Sequence, residues 1–153
     1  MKKIVALVLS VMLMLACNPA NEKGNSVEPV AAENHHQPGE KAGEPGLNNG
    51  SKWKVDLATF SKVGFLKTIL SGPGKESLES YSKTAAELES GLNKMIAECK
   101  MKGADHEALH HWLEPLLKNT KELKEATSFE NASVIFHEIQ MQVNLFDQYF
   151  ELS

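Results

Sequence analysis

Apolar residues recur at alternating intervals of three and four along two long stretches of this chain. The first stretch holds Leu78, Tyr81, Ala85, Leu88, Leu92, Met95 and Cys99. The second holds Phe129, Ala132, Phe136, Ile139, Val143, Phe146 and Phe150. This spacing places every member on one face of an α-helix and is typical of the seam of a helical bundle. It predicts one helix over 77–101 and another from Thr127 or Ser128 to the end.

Two further helices are predicted, one before the first of these stretches and one between the two stretches. The first covers 56–71, with Asp56 as its N-cap, and the third covers 105–126, with Asp105 as its N-cap. Pro115 inside the third helix removes a backbone hydrogen bond, so it should kink that helix or split it near Glu114. The stripe predicted to face the core in the first helix is Leu57, Phe60, Val63, Leu66 and Ile69 or Leu70.

The connections between the last three helices are short, so these neighbours should run antiparallel. No hairpin signal and no run of alternating β-branched residues is present in 51–153. The sequence therefore predicts an all-α domain over 51–153, an up-down-up-down four-helix bundle.

Residues 18–50 differ sharply from the rest of the chain. Pro, Gly, Asn and Glu supply 20 of these 33 residues, and there is no aromatic residue among them. Such a segment cannot bury enough apolar surface to offset the entropy of ordering it. We predict a disordered linker over 17–50, with an end-to-end distance of about 30 Å.

The N-terminus has the three parts of a secretory signal. Lys2 and Lys3 form a positive start, and the 13 residues of 4–16 follow with no charge. A membrane-spanning helix needs roughly 20 apolar residues, so this run favours a signal peptide over a span. An uncleaved anchor or a soluble secreted product is the alternative.

The signal ends in Leu13-Met14-Leu15-Ala16-Cys17. This segment resembles the lipobox of bacterial lipoproteins, with Met14 at a position where leucine is commonest. The resemblance implies that residues 1–16 are removed as a lipoprotein signal peptide and that Cys17 is acylated, for example with palmitate. It also implies a membrane-anchored protein of the cell envelope, and Asn18, which is not Asp, favours the outer membrane.

Charge and cysteine content limit the function further. The net charge is −4 and all 16 basic residues are Lys, whereas nucleic-acid binding needs a basic face and usually Arg. We therefore expect no nucleic-acid partner. Once Cys17 is acylated, Cys99 is the single free thiol in an oxidising compartment, so it should be buried, metal-bound or paired between molecules.

In an antiparallel helix pair, residues equally far from the middle of the turn face each other. Across the turn between the second and third helices, this rule brings sulfur and imidazole side chains together. With that turn centred between Lys102 and Gly103, Cys99 faces His106 and Met95 faces His110 in an antiparallel pair. Met101 adds a further sulfur in the same turn. Thiolate, thioether and imidazole ligands suit Cu(I) or Zn²⁺. The predicted metal ligands are therefore Cys99, His106, His110, Met95 and Met101, with copper or zinc as the cofactor.

The same residues allow three interpretations other than a metal site. Cys99 and Met95 also fall on core positions, so the cluster could be purely structural. The domain could instead bind envelope proteins or act as a structural module without a metal. A Cys99 nucleophile with His106 as base is a third possibility, but no orienting group or oxyanion donor is evident. We therefore expect no enzymatic activity.

One weaker resemblance concerns the domain itself. The pattern Cys-x-Met-x-Gly from Cys99, followed by Leu-His-x-Trp-Leu at 109–113, is similar to the middle of small exported bacterial helical proteins without an assigned activity. This resemblance implies no particular function.

Overall fold

The computed structural model describes residues 43–72 and 76–153. Its helices are α1 (Leu57–Leu70), α2 (Leu78–Glu98), α3 (Ala104–Glu125) and α4 (Phe129–Tyr149), and its strands are β1 (Trp53–Val55) and β2 (Phe150–Leu152). Consecutive helices pack against each other. The prediction of an all-α four-helix bundle is confirmed. The predicted signal peptide, Cys17 and residues 18–42 of the predicted linker lie outside the described residues.

Polar side chains begin three of the four helices. Asp56 accepts a hydrogen bond from the Thr59 N–H, Ser77 forms a capping box with Ser80, and Ser128 accepts from the Asn131 N–H. Each satisfies a backbone donor that the first helical turn leaves without an intrahelical partner. The N-cap predicted at Asp56 is therefore confirmed.

The start of α3 differs from the prediction. Asp105 does not cap this helix; its N-cap is Gly103, whose φ of 72° lies in the region that favours glycine. The Asp105 carboxylate instead accepts a hydrogen bond from the Lys54 N–H of β1, at 2.9 Å. The helix also continues through Pro115, so of the two effects predicted for this residue, a kink or a split, the split near Glu114 does not occur.

The core is built from all four helices and is centred on aromatic side chains. Trp112 is fully buried, and its ring centroid lies 5.1 Å from that of Phe146, which stacks on Phe150 at 4.9 Å. Aliphatic side chains complete this core, among them Leu66, Leu88, Leu92, Leu109, Leu116 and Ile139. The seams predicted for α2 and α4 supply most of the buried residues of those helices. In α1, by contrast, Leu57 and Phe60 were predicted to face the core and are exposed.

A short parallel pair of strands, which is not among the predicted elements, joins the two ends of the domain. Trp53 pairs with Phe150 and Val55 with Leu152, and the Ser153 N–H donates to the Val55 carbonyl at 3.0 Å. Each strand has three residues, too few for a recognisable alternation of apolar and polar side chains.

Residues 43–46, here called the strap, pack against the helices. The Gly43 carbonyl accepts a hydrogen bond from Gln142 Nε2 at 2.8 Å, and Trp53 Nε1 donates to the Gly46 carbonyl at 2.9 Å. Gly43 and Pro45 are buried. The packed structure therefore includes residues that fall within the predicted linker.

Candidate functional site

Cys99 lies where α2 ends. Its backbone is extended and its N–H donates to the Met95 carbonyl at 3.0 Å, so the chain leaves the helix at this residue. The side chain is a free thiol and is half-buried against the edge of the core. The helix predicted to reach residue 101 thus ends at Glu98, and Cys99 belongs to the connection between α2 and α3.

His106 and His110 approach Cys99 from the first turns of α3. Cys99 Sγ lies 3.7 Å from His106 Nδ1, as the antiparallel symmetry predicted. The ring centroids of His106 and His110 are 4.3 Å apart, because residues four apart share one helix face. His106 is half-buried and His110 is exposed. The thiol and the two imidazoles therefore form one continuous row from the edge of the core to solvent.

The two methionines predicted as ligands lie in different surroundings. Met95 is 1% exposed and forms part of the hydrophobic core. Met101 is half-buried, and its sulfur lies 3.8 Å from Thr59 Oγ1, which donates to it from α1. Met101 therefore ties the α2–α3 connection to α1, a contact that spacing within α2 and α3 alone could not predict.

Asp56 fixes the same connection from the other side. Its carboxylate accepts hydrogen bonds from the Thr59 N–H at 2.7 Å and from the Lys100 N–H at 3.3 Å. Burial raises the pKa of the Asp56 carboxyl, but these hydrogen bonds and the Lys100 charge together outweigh burial, so its pKa lies below the ordinary value. The sequence identified Asp56 as a helix cap but held no signal for its bond to Lys100, 44 residues away.

The distance between Cys99 and His106 is chemically informative. With Zn–S and Zn–N bonds of ordinary length, the sulfur and nitrogen of two ligands on a tetrahedral ion are about 3.6 Å apart. The observed separation of 3.7 Å is close to that value, and it is equally that of a hydrogen bond between the Cys99 thiol and the His106 imidazole. Within 43–72 and 76–153, no three His, Cys, Asp or Glu side chains already form a group that could hold a metal ion. A metal ion held by Cys99 and His106 would thus need further ligands. These could be His110 after its side chain turns, a methionine sulfur, or water.

Comparison with known proteins adds no further assignment: the chain matches no protein-family model, no curated protein and no solved structure. Within the described part of the chain, no helix is both long enough and apolar enough to span a membrane.

Proposed function

We propose that this protein is a lipid-anchored lipoprotein of the bacterial cell envelope whose helical domain binds a soft metal ion without catalysing a reaction. The observation that carries the metal proposal is the 3.7 Å contact between Cys99 Sγ and His106 Nδ1. The anchor proposal depends on the lipobox that ends at Cys17. The two parts are independent and need separate tests.

The anchor assigns the protein to a membrane, with the outer membrane favoured by Asn18. More than one acyl chain is needed for stable anchoring, and a diacylated or triacylated Cys17 provides this. The experiment is incorporation of labelled palmitate in a bacterium that produces the full chain. We expect label in the wild type and none in Cys17→Ala, and label that persists in Cys17→Ala would contradict acylation at that residue.

The proposed ligands are ranked by position. Cys99 and His106 come first because their donor atoms are already at the separation that a tetrahedral ion requires. His110 is third, since its ring centroid lies 4.3 Å from that of His106 at the open side, with the two rings tilted by 57°. Met101 and Met95 are the further sulfur donors, of which Met95 would have to turn out of the core. A Cys–His pair of this kind fits Zn²⁺ or Cu(I).

The metal test uses the full mature chain in detergent under reducing conditions. Titration with Co²⁺, a spectroscopic substitute for Zn²⁺, should give a thiolate-to-metal absorption band at one equivalent. Cys99→Ser should abolish the band, and His106→Ala should weaken binding at least about tenfold. His137→Ala is the matched control, because His137 is exposed on α4, and it should titrate like the wild type. Equal binding by all four proteins would refute this site.

A second experiment distinguishes Cu(I) from Zn²⁺. Competition between the protein and a chelator of known affinity gives a dissociation constant for each ion. If neither ion binds the wild type more tightly than Cys99→Ser, the cluster is a structural element of the bundle. The domain would then be an envelope interaction or structural module without a metal.

A further inference from the structure

The proposed ligands Cys99 and His106 lie on either side of the connection between α2 and α3. Cys99 has an extended backbone where it leaves α2, and Gly103, at the start of α3, has a φ of 72°. The hydrogen bonds of the two helices do not extend across this connection. Contacts with other parts of the domain must therefore help to fix the separation of the two side chains.

The Cys99 side of the connection is held by the start of α1. The Lys100 N–H, directly after Cys99, donates to the Asp56 carboxylate at 3.3 Å. One residue further along, the Met101 sulfur accepts a hydrogen bond from Thr59 Oγ1 at 3.8 Å. Two consecutive residues next to the thiol are thus joined to the N-terminal end of α1.

The His106 side is held from the same stretch of the chain. Asp105, directly before His106 in α3, accepts a hydrogen bond from the Lys54 N–H at 2.9 Å. Lys54 lies in β1, two residues before Asp56. One stretch, residues 54–59, therefore contacts the chain next to both proposed ligands.

This stretch is itself fixed within the domain. Val55 is fully buried, and its carbonyl accepts hydrogen bonds from the Ser153 N–H at 3.0 Å and from Ser153 Oγ at 2.8 Å. Thr59 is 1% exposed, and its N–H donates to the Asp56 carboxylate at 2.7 Å. Groups that are locked by burial and hydrogen bonds can hold a neighbouring site in a defined geometry.

We propose that Lys54, Asp56 and Asp105 are positioning residues that set the separation of Cys99 and His106 for metal binding. The proposal rests on the metal-binding function proposed above. The three residues act through the backbone next to each ligand rather than by touching the ion. Removing groups that orient the ligands of a metal ion lowers the affinity of a site even when every ligand remains.

Asp105 offers a matched pair of variants. Asp105→Ala removes the acceptor of the Lys54 N–H, whereas Asp105→Asn keeps an oxygen in its place, and both remove the same negative charge. The test is Co²⁺ titration of the full mature chain in detergent under reducing conditions. We expect Asp105→Ala to bind Co²⁺ about threefold to tenfold more weakly than the wild type, and Asp105→Asn to bind nearly as tightly as the wild type.

A second measurement uses the wild type alone and does not depend on how a variant folds. If these contacts favour metal binding, bound metal must favour these contacts by the same free energy. Zn²⁺ should therefore slow amide hydrogen exchange at Lys54 and Lys100 by at least about threefold. Asn131 is the control, because its N–H donates to Ser128 at 3.2 Å in the same kind of bond at the start of α4. Its exchange should change much less.

Four results would overturn the proposal. Equal Co²⁺ affinity of the wild type and both Asp105 variants would leave the metal site intact and remove the positioning role. Equal weakening in both variants would assign the loss to the charge of the carboxylate or to its coordination of the ion. Equal slowing of exchange at all three amides would show stabilisation of the whole domain. A wild type without a Co²⁺ band would remove the metal function and the positioning role together.

Discussion

Two polar clusters in this domain differ in their exposure to solvent. Around Gln142, Nε2 donates to the carbonyls of Gly43 and Trp112, at 2.8 and 2.9 Å, and Trp112 Nε1 donates back to the Gln142 carbonyl at 2.8 Å. All these groups are buried. Around Cys99, the thiol meets His106 at the edge of the core, and the row ends at the exposed ring of His110.

This difference in exposure indicates different roles: the buried cluster stabilises the fold, and the exposed one is accessible to a ligand. Buried polar groups must be paired, and the Gln142 cluster uses its donors to hold the strap, α3 and α4 together. The Cys99 cluster leaves ring atoms next to solvent, where an ion can reach them. We therefore expect substitutions at the first cluster to change folding and substitutions at the second to change ligand binding.

The largest loss of stability should come from Trp112→Ala. The side chain is fully buried, contacts the rings of Phe146 and Phe150, and donates to Gln142. Removing it leaves a cavity, so the free energy of unfolding should fall by about 3–5 kcal/mol. Urea unfolding measures this change. A loss below about 1 kcal/mol would mean that the Gln142 cluster does not organise the core.

The next largest effect on stability should come from the strap, where Gly43 can be compared with Gly50 as its matched control. Gly43 and Gly50 have φ values of 89° and 87°, but a side chain at Gly43 would lie 2.8 Å from the Gln142 amide and from Pro115, while one at Gly50 would meet nothing. Both Ala variants share the backbone strain. Gly43→Ala should be less stable than Gly50→Ala by about 1–3 kcal/mol from overpacking. Equal stabilities would show that the strap contributes nothing to folding.

The separation of contacting residues along the chain decides what the sequence could predict. The helices follow from local spacing, and the approach of Cys99 to His106 follows from the symmetry of one short turn. The burial of Trp112 agrees with local spacing too, because it lies three residues after Leu109 and four before Leu116 and so shares their helix face. The strap and the β1–β2 pair join residues about a hundred positions apart, for which periodicity carries no signal.

Asp56 is relevant to both clusters, because it stabilises the fold beside the proposed metal ligands. Its pKa is lowered in the folded protein, so its stabilising effect is present above its unfolded pKa of about 4 and is lost as the pH falls through the lower folded value. Asp56→Asn keeps a capping side chain but does not ionise.

The advantage of the wild type over Asp56→Asn should therefore be constant near neutral pH, decline as the pH falls below about 4 and disappear below the folded pKa. Urea unfolding of both proteins across this range measures the difference. The change should be smaller than that at Gly43, because Asp56 is partly exposed. An advantage that grows on acidification would contradict the lowered pKa.

The smallest effect on folding should come from the proposed metal ligands themselves. In metal-free protein, Cys99→Ser and His110→Ala should each change the free energy of unfolding by about 0.5 kcal/mol or less, because His110 is exposed and Cys99 is only half-buried, at the edge of the core. Unfolding in the presence of a chelator measures this change. A loss comparable to that of Trp112→Ala would show that the Cys99 cluster is part of the core. Small losses, combined with loss of the Co²⁺ band in Cys99→Ser, would separate binding from stability within a single four-helix bundle.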